Sequence, residues 1–117
     1  MATGNTLHIV NYFHDPVDVT VSNQDFNCCD APKPGDNVGN IKPDGSASMF
    51  YVRTDGHGCN GRQGQFTFSL SSKYTVFMNF DSNGDMAPIA ASPGFGAWLA
   101  HNADNSYTLI VGPTPGS

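Results

Sequence analysis

Strict alternation of apolar and polar residues recurs along this chain. In "VDVTVS" Val17, Val19 and Val21 share one side, with Asp18, Thr20 and Ser22 on the other. "QFTFSL" places Phe66, Phe68 and Leu70 together, "YTVFMNF" aligns Tyr74, Val76, Met78 and Phe80, and "YTLIV" aligns Tyr107, Leu109 and Val111. A period of two is the signature of a half-buried strand, because successive side chains of an extended chain point to opposite faces. "TLHIVNY" and "SASMFYV" are weaker but rich in β-forming residues, and "GAWLAH" reads as a short late strand carrying Trp98.

Turn chemistry separates these runs. His14-Asp15-Pro16 follows the first, and "APKPGDN" is a Pro/Gly loop. Pro43-Asp44-Gly45 has Pro at its favoured second turn position. Ser71-Ser72 predicts a tight hairpin, and Asn83-Gly84 is the strongest hairpin dipeptide. Short strands punctuated every eight to twelve residues predict an all-β, single-domain antiparallel β-sandwich of about seven to nine short strands. We place it over residues 1–112, with 113–117 ("PTPGS") as a flexible tail.

Composition sharpens this picture. The chain has 117 residues, enough for one core, and its 10 acidic residues are all aspartate. With no glutamate and few lysines, the usual covering of exposed helices is missing. The net charge of −5 and the shortage of cations disfavour nucleic acid and anionic membranes. A zwitterionic lipid headgroup or a neutral glycan stays open. "MATGNTLHIVNYFHDP" lacks a basic start and a long apolar stretch, so synthesis in the cytosol without a signal peptide is expected.

Three segments carry a resemblance. "LHIVNYFHDPVDVTVSN" is similar to the N-terminal strand, turn and second strand of the aegerolysins. "IKPDGSASMFYVRTDG" resembles their Pro-Asp/Gly turn and following strand, and "GRQGQFTFSL" their Gly-x-x-Gly-x-Phe-x-Leu stretch. The wider actinoporin-like sandwich family, with its fungal fruit-body lectins, shares this layout. The resemblance implies a non-enzymatic protein that recognises a sphingolipid-type headgroup, a defence or cytolytic role, and a protein partner for pore formation. Its lectin members imply glycan binding instead. Aegerolysins carry several Trp and Tyr in a late segment, where this chain has Trp98 alone.

Candidate site residues follow from their chemistry. In "SPGFGAW", Phe95 lies between Gly94 and Gly96, so it is expected to project outward, where it and Trp98 would stack on a sugar or dip into a headgroup layer. Asn102, Asp104 and Asn105 supply hydrogen-bonding groups nearby, and His57 and Arg62 stand in the Gly-rich loop "TDGHGCNGRQG". That loop also holds Cys59. The alternatives for Cys28, Cys29 and Cys59 are one disulfide from Cys59 to either neighbour, free thiols, or a Cys₃His metal set with His57. Adjacent cysteines make a poor chelate.

"DSNGD" spaces Asp81, Asn83 and Asp85 like the start of a calcium loop, but Gly84 comes one position early and Ser92 stands where a bidentate Glu belongs. We read it as a hairpin turn and expect no metal or other cofactor. His8, His14, His57 and His101, with Arg53 or Arg62, are the only material for a small hydrolase or ribonuclease. An exposed edge strand would admit a homodimer, though nothing in the sequence selects one.

Overall fold

The computed structural model describes residues 4–113 apart from 55, 57, 60, 61 and 88. Among them there are ten strands and no helix: β1 (Asn5–Asn11), β2 (Val17–Asn27), β3 (Cys29–Ala31), β4 (Asn37–Ile41), β5 (Ser46–Arg53), β6 (Gly64–Leu70), β7 (Tyr74–Phe80), β8 (Ala90–Ala91), β9 (Gly96–His101) and β10 (Tyr107–Gly112). They form two five-stranded sheets, ordered β3-β5-β1-β10-β9 and β4-β2-β6-β7-β8. The expected sandwich is present. β3 and β8, three and two residues long, are the strands hardest to read from sequence.

The predicted apolar phases point inward. Leu7, Ile9, Val19, Val21, Phe66, Phe68, Leu70, Val76, Met78, Phe80, Leu109 and Val111 are buried between the layers. Tyr51 joins them edge-on to Phe80, with ring centroids 4.7 Å apart. Each such side chain contributes on the order of 2 kcal/mol when fully removed from water.

One ladder is parallel. β1 runs between β5 and β10, antiparallel to the first and parallel to the second. The residues around His14-Asp15-Pro16 therefore carry the chain from one sheet to the other and do not close a hairpin. Asn11 fixes this crossover. Its fully buried Nδ2 donates to the carbonyls of Ile41 and Asp15, both at 2.9 Å, and its Oδ1 accepts from the Phe13 amide at 2.8 Å.

The expected Ser71-Ser72 hairpin is present: both residues have positive φ, 52° and 56°, as a tight β6–β7 turn requires. Pro43-Asp44-Gly45 turns with Asp44 at φ 61°. Of the expected tail 113–117, residues 114–117 lie outside the described residues.

Candidate ligand-binding face

The two outer faces of the sandwich differ. On the second sheet the outward positions are mostly hydroxyls and amides, among them Thr20, Ser22, Gln65, Ser69, Thr75 and Asn79. The first sheet carries Tyr12, Phe50 and Trp98 on its outer side, exposed to 54%, 57% and 43%. These are the exposed large hydrophobic residues among those described, and they share one face.

Register explains the placement. The outward phase of β1 is Thr6, His8, Val10 and, just past the strand, Tyr12, whose amide continues the ladder to the Val111 carbonyl at 2.7 Å. Val10 pairs with Ile110 and Ile110 with Trp98, so the outward side chains of β1, β10 and β9 form a row. The next row holds Tyr12, Gly112 and Gly96, the two glycines being register partners. A Cβ on Gly112 would come within 3.1 Å of the Tyr12 Cβ, and one on Gly96 would run into the far end of the Trp98 ring. Tyr12 and Trp98 thus stand two strand spacings or about 10 Å apart, and their side chains cover a floor of two buried glycines.

A polar band lies on the far side of the Val10–Ile110–Trp98 row from this floor. His8 Nδ1 shares a hydrogen bond with Ser48 Oγ at 2.7 Å, and Thr108 is the next residue across. Asn102 Nδ2 donates to Thr108 Oγ1 at 2.8 Å and to Ser106 Oγ at 3.1 Å. Phe50 closes the far end of the face, its ring covering Gly4. The layout offers aromatic surface for apolar ring faces and hydroxyl, imidazole and amide groups for hydrogen bonds, with no Asp, Lys or Arg in the outward phase of these strands.

Phe95 is a correction. It is buried, exposed to only 6%, and does not project from its loop. Its ring stacks on Tyr74 at 4.5 Å and on Phe13 at 6.2 Å. Flanking glycines leave an aromatic unshielded by its own chain neighbours, yet here the β1–β2 crossover and the start of β7 cover it. Phe13 and Tyr74, but not Phe95, line a cleft of about 300 Å³ that also meets His14, Asp15 and Lys73.

The polar loop residues are largely occupied. Asp104 Oδ1 accepts from the Ser106 hydroxyl at 2.5 Å and its amide at 3.0 Å, which holds the Asp104 carboxyl below its ordinary range. Asn105 adopts φ 75° in the turn and bonds His101 Nε2 through Oδ1 at 2.8 Å. Only Asn102 belongs to the aromatic face, at its polar margin.

The Gly-rich loop is stapled. Cys59 bonds to Cys28, closing one of the two disulfide alternatives, while Cys29 stays a buried free thiol. Arg53 is buried beneath the loop and donates Nη1 to the carbonyl of Cys59 and, at 3.1 Å, to that of Arg62. The Cys₃His metal set is thereby ruled out, since two of its sulfurs are bonded to each other. Arg62 is exposed away from the aromatic rows, and His57 lies outside the described residues.

Asp81 Oδ1 accepts from the amides of Asn83 and Asp85, at 2.9 and 3.0 Å, as the Asx-type cap of a turn. The three described histidines do not converge. His8 faces outward on β1, His101 stacks on Tyr107 at 4.3 Å on the inner side of β9, and His14 sits at the crossover. Tyr12 and Phe50 escaped the sequence reading. Their signal was phase: both fall on the polar side of the alternation, Phe50 with Ser46 and Ser48, Tyr12 with Thr6 and His8.

No protein-family model matches the chain, and no curated protein sequence matches it.

Proposed function

We propose that this protein is a non-enzymatic binding protein that recognises a neutral glycan on the outer face of its first sheet. The observation that carries the reading is the pairing of Tyr12 and Trp98 about the Gly112–Gly96 floor. A sugar ring has an apolar face that stacks on an aromatic ring and a rim of hydroxyls that need hydrogen-bond partners. Trp98 and Tyr12 supply the first, and His8, Ser48, Thr108 and Asn102 supply the second.

A lipid headgroup fits this arrangement less well. Insertion into a bilayer interface needs apolar side chains standing proud of the protein. Trp98 instead folds back along its own strand, and Phe95, the loop residue suited to insertion, is buried. The net charge of −5 also gives no attraction to anionic lipids. The lectin side of the actinoporin-like resemblance agrees with the glycan reading.

A glycan array followed by calorimetric titration of the best ligand tests it. Trp98→Ala is expected to weaken binding about tenfold or more, the loss of a stacked ring. Retention on sphingomyelin vesicles with no signal on the array would replace the glycan reading by the lipid one.

A further inference from the structure

β3 and β9 end the first sheet, and β4 and β8 end the second. Sheet edges expose unpaired backbone groups, and natural proteins blunt them with short length, charge, proline or irregular register. β3 has three residues, carries Asp30, shifts register and is followed by Pro32. β8 has two residues. β4 faces a register shift in β2 and is flanked by Asp36 and Lys42. β9 has none of these devices. It runs for six residues in unbroken register with β10, and "GAWLAH" contains no Asp, Lys, Arg or Pro.

The free groups of β9 can be named. The Asn102 amide donates to the Ser106 carbonyl at 2.8 Å. Antiparallel ladders alternate between hydrogen-bonded and non-hydrogen-bonded pairs. Ala100, Trp98 and Gly96 therefore turn their backbone groups toward β10. Ala97, Leu99 and His101 turn theirs to the open edge, where no described residue pairs with them.

We propose that β9 pairs antiparallel with β9 of a second copy of this chain, about a two-fold axis through Leu99. Residues directly opposite in such a ladder point to the same side, so the axis must pass through a residue and not between two. Placed at Leu99, it sets Leu99 against Leu99 and Ala97 against the second copy's His101. All three outward-turned amides and carbonyls of each strand then find partners. Placed at Trp98, it would leave those of His101 unpaired. The strand has no Asp, Lys or Arg, and this register sets His101 against Ala97 and not against itself, so self-pairing opposes no like charges. Beside it, Met86, Ile89, Ala97 and Leu99 line an apolar groove of about 590 Å³ where the two sheets part, and Leu99 of the second copy would lie across its mouth.

The axis stands perpendicular to the sheet, so both outer faces of the dimer look the same way. The dimer stands whether or not the glycan reading does. If that reading holds, two Tyr12–Trp98 sites on one rigid surface would bind a polymeric or clustered glycan with avidity.

Sedimentation velocity across a dilution series tests the proposal, together with hydrogen exchange of the Ala97, Leu99 and His101 amides. The expected result is a concentration-dependent dimer with those amides protected only at high concentration. Ala97→Pro removes an N–H that the folded monomer does not use, a substitution edge strands accept. It should raise the dissociation constant about tenfold or more with the fold retained by circular dichroism. If it does not fold, Leu99→Lys, an edge charge, takes its place. A monomer at every concentration up to about 1 mM overturns the proposal, as does a dimer that a folded variant leaves unchanged. Exchange of the three amides that ignores concentration overturns it too.

Discussion

The ring of Trp98 lies across Gly96, two residues earlier on the same strand, and occupies the space a Cβ would need. A bare glycine thus lets the ring fold down against the sheet. Replacing Gly96 with Ala should lift the ring into water and spoil the flat surface beside Tyr12. Trp98 is the sole tryptophan, so its fluorescence reports the change directly. A red-shifted emission and glycan affinity lowered about tenfold are expected, and unchanged emission would contradict the packing described.

Asn11 should prove the most costly polar side chain to lose. Its three hydrogen bonds, the one to Ile41 buried and the other two partly so, hold the β1–β2 crossover to the end of β4. Asn11→Ala leaves two carbonyls and an amide without that partner, at a cost of about 3 kcal/mol. Urea unfolding measures it, and a loss below about 1 kcal/mol would mean that water replaces the side chain without penalty.

The Cys28–Cys59 bridge spans a sequence separation of 31. Loop-closure entropy assigns such a link about 3–4 kcal/mol. The Cys28→Ser/Cys59→Ser double variant should show that loss in thermal unfolding while still binding glycan at low temperature. The bridge sits in the stapled loop, away from Tyr12 and Trp98. Loss of binding in the folded double variant would move the site toward this loop.

Burial pushes the Cys29 thiol up to about 12 from an ordinary value of 9.0, and burial likewise raises the Tyr51 hydroxyl. Both groups resist ionising in the folded state. Their contribution to stability is full below the unfolded pKa and is lost as pH rises, for Cys29 between about 9 and 12. The protein should be destabilised progressively above pH 9, and iodoacetamide at pH 8 should modify Cys29 only after denaturation. Rapid alkylation of the native protein would show that the thiol is accessible.

Much of the fold was legible because alternation reports a face. Val17, Val19, Val21, Phe66, Phe68 and Leu70 point inward as their phase predicted, and "GAWLAH" is β9 from end to end. The same rule, applied to polar phases, would also have marked Tyr12 and Phe50. Phe95 was misread because flanking glycines describe only local shielding. Tyr74 and Phe13, distant in the chain, decide its burial. Asn11 looks like any polar residue at a strand end until Ile41 and Asp15 are brought beside it.

By itself the sequence determined that the chain forms strands, which side of most of them faces the core, where several turns fall, and that its surface is acidic and poor in cations. These are local properties, set by side-chain period and backbone preference. Tertiary structure alone decided that β1 lies parallel to β10, that Cys59 bonds Cys28 and leaves Cys29 free, and that Tyr12 and Trp98 cover two glycines. Each depends on which strands become neighbours. That choice is made by the packing of the whole core, which no short window of residues contains.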